Sequence, residues 1–431
     1  MPWSTRHLIN NLSTMKNVKI STIYNCYLLL FFLLIFAMCQ GKKDNRNSIL
    51  SNTSKNNELI EINIDDLDDN TPILFSSVFK NFKLTPLETR NECLIGRISK
   101  MEVIDDTLYI LDSNIAKSLF LFDREGKFIQ KIGKIGKGPG EYIQPAFFSV
   151  NYKEKQILIL DTKQQKIIRY ASNGDFINEF KLEKDLLPIQ IATQKDLIYI
   201  DQLNSKYMPS DYLLYALDKS GKIKTSWLSS MIYQLGFKHP VNNSFNFFTT
   251  TTDIKYVKPF FDTIFSISEN QIKPYLHVHT TNKVTKQDMV EINGFNDTKQ
   301  YLNFSKKYNK FLGITDYMES NRLVMFKFRN HAETHNLFYY HSSNEIFCTT
   351  KFIDDLTLAV HPSIFYCTYK NNFISCIQSA TPNAIESFIA NVAEKRIKMT
   401  EKEKFALNGI KATSNPIIVF YECRENFLRH D

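Results

Sequence analysis

The chain has 431 residues, and its 53 basic and 45 acidic side chains give a net charge of +8. That surplus is scattered with no dense Lys/Arg block, which argues against a nucleic-acid partner. Phe (34) and Tyr (21) are abundant while Gly and Pro stand at 13 each, a balance that suits strands and argues against long disordered tracts. Seven cysteines, at 26, 39, 93, 348, 367, 376 and 423, include no CxxC pair, so a zinc ribbon is not indicated. The five beyond residue 39 are an odd number and read as small buried hydrophobes. Cys367 and Cys376 could still bridge neighbouring strands in an oxidising compartment.

Tyr27 to Met38 is an almost unbroken apolar run ending at Cys39. It is shorter than the ~20 residues a membrane-spanning helix needs. Lys16 and Lys19 precede it, the charged-then-apolar order of a secretory signal, so residues 1–38 are read as a signal peptide with Met15 as an alternative start. Phe36-Ala37-Met38-Cys39 resembles a bacterial lipoprotein lipobox, with Phe36 and Met38 standing where Leu and a small residue are usual. The resemblance implies lipid attachment at Cys39; a plain membrane anchor with an incidental cysteine is the alternative. Residues 39–57 are polar and read as a flexible tether. Glu58 to Ile64 alternates with period two and opens the folded region, residues 58–428, as a strand. The acidic turn Asp65 to Asn70 lacks the spacing and glycine of a calcium loop.

Asp105 to Phe180 reads twice through one pattern. Thr107-Leu-Tyr-Ile-Leu-Asp112, Ser118 to Asp123, a turn at Gly126 and Phe128 to Ile132 are followed by Gln156-Ile-Leu-Ile-Leu-Asp161, Lys166 to Tyr170, a turn at Gly174 and Phe176 to Phe180. Asp112 and Asp161 are 49 residues apart, and Gly126 and Gly174 are 48 apart. A period of that length, built only of short strands and hairpins, predicts propeller blades. A looser third copy has Asp196 to Asp201, Tyr212 to Leu217 and a turn at Gly221.

The chain resembles a family of six-bladed β-propeller lipoproteins of Bacteroidetes, distantly similar to NHL-repeat propellers. The residues that carry the likeness are Pro86-Leu-Glu-Thr89, Leu94-Ile-Gly96, Leu108 to Asp112, Phe122-Asp123 with Gly126-Lys127, Gly133 to Tyr142, Asp262 to Phe265 and Asn415-Pro416 to Phe420. It implies an all-β, six-bladed propeller in the bacterial cell envelope, held at the outer membrane by its N-terminal lipid.

Gly133-Lys-Ile-Gly-Lys-Gly-Pro-Gly-Glu-Tyr142 invites comparison with a phosphate loop, but Pro139 and Gly140 stand where Lys and Ser/Thr are required. Gly138 and Gly140 are instead expected to supply unusual backbone angles where one blade hands over to the next. Glu141 and Tyr142 would then lie near the propeller face, and with Glu88 they are the candidate ligand-binding residues. Phe245, Phe247 and Phe248 read either as strand packing or as a sugar-stacking loop. A hairpin over Tyr256 to Pro274 and a fifth over Leu323 to Tyr340 follow, with Phe347 to Phe352 and Ile364 to Tyr369 expected to begin a sixth. Short helical insertions are predicted near 296–312 and 382–407, the first from amphipathic spacing, the second from a Thr381-Pro382 start and a capping box at Thr400 to Glu403. Asn415 to Tyr421 is the last strand, and Glu58 to Ile64 is its expected partner in closing the ring.

His331, Glu333 and His335 alternate and could share a face as a metal site, yet their place between two strands reads as a hairpin tip; His277 and His279 read the same way. No metal, cofactor or catalytic constellation is therefore assigned. The chain is expected to be a non-catalytic binding or scaffolding module for glycan, peptide or protein partners, with no nucleic-acid partner. The alternative is a polysaccharide hydrolase or lyase in which acids such as Glu88, Glu102 or Asp112 converge on the central channel. Carboxylates gathered at the channel would favour chemistry; an apolar, amide-lined mouth would favour binding.

Overall fold

Asp105 and Asp106 both take positive φ, 46° and 60°, as the two-residue hairpin turn that best matches strand twist requires. This hairpin joins the first two strands of a four-stranded antiparallel sheet, Lys100–Ile104, Thr107–Asp112, Ser118–Phe122 and Phe128–Ile132. In this computed structural model the described residues are 49–50, 59–203, 209–230, 245–250, 253–268, 271–331, 333–359, 365–378, 383–394 and 396–429. The leader, Cys39 and the tether (apart from Ile49–Leu50) lie outside them.

Six such sheets form the blades of a β-propeller. Blade 2 runs over Pro145–Asn151, Gln156–Asp161, Lys166–Ala171 and Phe176–Lys181. Blade 3 comprises Pro188–Gln194, Leu197–Gln202, Tyr212–Leu217 and Ile223–Ser229. Blade 4 has Phe247–Thr249, Ile254–Tyr256, Thr263–Ser268 and Gln271–His279, and blade 5 has Ile314–Glu319, Leu323–Asn330, Glu333–Tyr340 and Glu345–Thr349. Blade 6 draws Cys367–Tyr369, Asn372–Ile377 and Ile417–Cys423 from the C-terminal part and its outermost strand, Phe79–Pro86, from the N-terminal part. Most strands are buried on both faces, because each blade is covered by the next; Leu108, Ile110, Leu119 and Leu121 are at most 2% exposed.

The repeated glycine and aspartate have separate structural tasks. Gly126 sits at φ 86°, and a Cβ there would lie 2.2 Å from the Pro86 carbonyl oxygen, so only glycine lets the blade 1 turn touch the strand that closes blade 6. Asp112 is fully buried, and its carboxylate accepts the amides of Gly96 (2.8 Å), Arg97 (3.0 Å), Asn114 (3.2 Å) and Ile115 (2.8 Å). Asp161 does the same for Ile143, Gln144, Lys163 and Gln164. In blade 3 the register places Gln202, not Asp201, at this position: Pro188 pairs with Gln202 as Pro145 pairs with Asp161. Asp201 therefore points to the other face, where Lys258 (2.5 Å), Tyr256 (2.7 Å) and Asn246 (2.6 Å) of the following blade bind it.

Ring closure corrects one expectation. The partner of the last strand is Phe79–Pro86, paired from Ile417–Pro86 to Cys423–Phe79. Ile60–Asn63 instead adds in parallel to the outer edge of blade 4, beside Leu276 to His279. Ile60–Asn63 alternates buried and exposed, as a strand that covers a sheet edge does. Ile73–Leu74 next pairs with Phe352–Ile353, and Ile49–Leu50 lies along Glu345–Thr349 of blade 5, so the N-terminal segment runs along the outside of blades 4 and 5. Asn415 secures the closure, since its side chain accepts from the Ile95 amide and donates to the carbonyls of Glu88 and Cys93.

Three more expectations change. Of the two stretches expected to begin blade 6, Ile364 to Tyr369 contains its first strand, Cys367–Tyr369, whereas Phe347 to Phe352 does not belong to it; Glu345–Thr349 is the outermost strand of blade 5. Gly133 and Gly140 adopt positive φ at the blade handover, and Gly138 does not. Cys93, Cys348, Cys367, Cys376 and Cys423 are all free thiols; Cys367 faces Ile374 and Cys376 faces Ile418 across their ladders, so no bridge forms. The predicted insertions are present as Thr298–Tyr308, Ala384–Ala393 and Glu401–Ala406, the last with its Thr400–Glu403 capping box; Thr381 and Pro382 lie outside the described residues. A further helix, Lys286–Asn293, starts on a Thr285–Asp288 capping box. Among the described residues no helix is long and apolar enough to cross a membrane.

Candidate functional site

Each innermost strand ends on the same face of the propeller, where it turns back through a hairpin, and side chains just past those ends surround the channel mouth. They enclose a funnel of about 760 Å³ to which five blades contribute: Asp105 from blade 1, Tyr152 from blade 2, Asp253 and Lys255 from blade 4, Glu319 and His341 from blade 5, and Tyr369 and Lys370 from blade 6. The volume falls within the ~300–1,000 Å³ of small-molecule sites. A second cavity of about 220 Å³ between blades 2 and 3 presents mainly leucines, among them Leu160, Leu182 and Leu186.

The wall formed by blades 4 and 5 is a connected polar network. Glu319 accepts hydrogen bonds from Tyr275 (2.6 Å) and from the Tyr317 hydroxyl, and His341 Nε2 lies 3.3 Å from its carboxylate. Burial favours the neutral acid at Glu319, but donation from His341, Tyr275 and Tyr317, with the charge of Lys255 nearby, outweighs it and holds the pKa below its ordinary value. Asp253 follows the same logic. Burial would raise its pKa, yet Lys255, Thr250 and Ser266 all bond to the ionised form and the net shift is downward. Lys255 also stands 3.7 Å from the centre of the Tyr275 ring, a cation–π contact in a partly desolvated site. Both carboxylates are thus kept charged and already hydrogen-bonded.

The opposite wall is less committed. Asp105 of blade 1 is exposed there, Asn321 is exposed at the rim of blade 5, and the side chains of both make no hydrogen bond among the described residues. Tyr152 and Tyr369 are partly buried and present ring surface, with Lys370 Nζ 4.8 Å from the Tyr369 ring and 3.7 Å from Asp106. Burial raises the Tyr152 pKa well above its ordinary value, reinforced by the charges of Glu102 and Asp105, so its hydroxyl stays protonated.

None of the binding or acidic candidates singled out in the sequence, Glu88, Glu102, Asp112, Glu141 and Tyr142, lines this funnel. Glu88 lies where blades 6 and 1 meet, its carboxylate accepting the Phe128 amide (2.8 Å) and pairing with Arg90 (3.1 Å). Glu141 closes its own glycine-rich turn by accepting the Gly138 amide (2.8 Å), and that bond together with Lys134 lowers its pKa. Tyr142 is fully buried between blades 1 and 2; burial lifts its pKa to about 12, and its hydroxyl donates to the Ile132 carbonyl (2.8 Å). Glu102 comes nearest, one position before the lining residue Val103. Its carboxylate pairs with buried Lys100 (2.7 Å), which also donates to the Phe148 carbonyl of blade 2. Asp112 lies at the far end of its strand from the funnel, as does Asp161.

The histidine pairs are structural. His335 stacks on Phe328 at 4.8 Å and pairs with Asp69 (3.0 Å), while His331 is an exposed turn residue at φ 53°. His277 and His279 face each other on the outer strand of blade 4, contacting Thr263 and Glu61. No group of three or more His, Cys, Asp or Glu side chains suited to a metal ion occurs among the described residues. Of the three clustered phenylalanines, Phe245 and Phe247 are core residues, and Phe248 reaches the funnel wall.

Comparison with known proteins supports the architecture. A protein of Bacteroides fragilis, described as a candidate exported protein, superposes with a TM-score of 0.65 at 17% identity, covering 85% of this chain and all of its own. A member of the DUF4221 family from Bacteroides vulgatus gives 0.44 at 10% identity, covering 80% of this chain and 96% of its own. No curated protein matches the sequence. The family model described as "Domain of unknown function (DUF4934)" matches residues 59–422, which span every blade. With six blades and a match of that extent, the chain belongs to the DUF4934 family as a six-bladed β-propeller.

Proposed function

We propose that the protein is an exported binding module of the bacterial cell envelope, anchored through a lipid on Cys39 at the outer membrane, whose ligand seats in the funnel. The carrying observation is the state of the funnel acids. A hydrolase that protonates a leaving group needs a carboxyl with raised pKa, and Asp253 and Glu319 are both shifted the other way by bonds to their charged forms. Such groups serve as fixed hydrogen-bond acceptors. The leader, the lipobox-like Phe36 to Cys39 and the exported description of the Bacteroides fragilis neighbour support the location. An NHL-like ancestry fits the same repeat.

The hydrolase or lyase reading draws on one observation of its own: acids from three blades, Asp105, Asp253 and Glu319, do gather at one mouth. A glycan and peptide binding screen on the full chain, with product analysis, separates the two. Binding without turnover, lost when Asn321→Trp fills the mouth, is the expected result. Depletion of a polymer would overturn the binding reading. Fatty-acid labelling is expected to vanish in Cys39→Ala, and label retained there would refute the anchor.

A further inference from the structure

Resting on the funnel as the binding site, we infer that its ligand is an uncharged, hydroxyl-rich molecule, a saccharide of a few rings, and not a charged peptide. The first argument is charge. Asp253 is countered by Lys255, and Glu319 is held by His341 and two tyrosines. An ionic ligand would have to displace one of these internal partners and leave the other buried and unmet, which costs more than a new pair returns. Asp105 and Lys370 are the exceptions, and both are exposed at the rim where salt and water screen them.

The second argument is what remains on offer. Asp105 can accept two hydrogen bonds side by side, and the Asn321 amide can donate and accept at once. Hydroxyls on neighbouring ring carbons match that mixture, because each both donates and accepts. Tyr152 and Tyr369 supply ring surface from two different blades for the apolar C–H faces of a sugar. The funnel of about 760 Å³ has room for several rings. Charge already balanced, paired acceptors unused and aromatic faces at the rim together describe a saccharide subsite.

The test is calorimetric titration of the full chain with three probes: neutral oligosaccharides of mixed linkage, uronate oligosaccharides, and lysine-rich and glutamate-rich peptides, each at low and high salt. The expected result is binding of a neutral oligosaccharide with an affinity unmoved by salt. Tyr369→Ala should weaken it by about tenfold, and Asn321→Ala should weaken it with an unchanged melting temperature. A uronate or peptide that binds with steep salt dependence, and is lost in Tyr369→Ala, would overturn the uncharged-saccharide reading while leaving the funnel reading intact. A neutral sugar whose affinity ignores both variants would refute the funnel itself. Failure of every neutral probe to bind also counts against the inference.

Discussion

Blades 1 and 2 and blades 4 and 5 solve the same packing problem in different ways. The first pair is regular: each is four strands, locked by a buried aspartate that gathers four backbone amides, Asp112 or Asp161. The second pair lacks that aspartate pattern, takes fifth strands from the N-terminal segment along its outer edges, and joins to its neighbours through side-chain pairs such as Asp201–Lys258. The funnel's connected network of Asp253, Lys255, Tyr275, Tyr317, Glu319 and His341 belongs wholly to the irregular pair. Backbone-locked blades give a rigid frame. Where the locks are side chains, the polar groups can also face the channel.

The contrast is broken most sharply at Asp201. Asp201→Ala leaves Lys258 buried beside Tyr256 without its anion and should cost about 3–5 kcal/mol in chemical denaturation. Much of that loss should return in the double variant with Lys258→Met; an additive double variant would mean that the pair does not couple blades 3 and 4. Gly126→Ala probes the regular side, where a Cβ at φ 86° would strike the Pro86 carbonyl. We expect a loss of about 2–3 kcal/mol, and a wild-type melting temperature would show that the closure does not need this contact.

Glu319→Gln is the mildest and sharpens the comparison through pH. The Glu319 pKa is depressed in the fold, so its contribution is present above the ordinary value of 4.5 and is lost as the pH falls through the folded value. The variant should lose about 1–2 kcal/mol near neutrality and show a flatter decline in melting temperature on acidification. A decline as steep as that of the unaltered protein would assign the acid sensitivity to other carboxylates.

The same contrast explains what could be read from the sequence. Blades 1 and 2 were legible because their turns need particular residues at fixed offsets, Gly126 and Gly174 above all. The third copy is offset by one position. Asp201 aligns with Asp112 in the string Leu-Ile-Tyr-Ile-Asp, but a strand's faces alternate, and Gln202 occupies the locking position. Glu141 and Tyr142 drew notice because their glycine-rich surroundings are conspicuous, and the glycines are there to build a turn. The funnel residues have no common motif. Asp105, Tyr152, Lys255, Glu319 and Lys370 come together only because each stands in or beside the turn that ends an innermost strand, and that shared offset was the one signal the sequence offered.

The outermost strand of blade 6 also has a consequence for biosynthesis. Phe79–Pro86 is made early but finds its ladder only in Ile417–Cys423, near the end of the chain. Pairing over so long a separation is slow, and until the last residues emerge, the strand's hydrogen-bonding groups have no native partner. A nascent molecule therefore stays unfinished through nearly all of its synthesis. Loss of the final fifteen residues, which removes Ile417–Cys423, would do more harm than their small number suggests, since it would leave an open arc where the intact chain forms a ring.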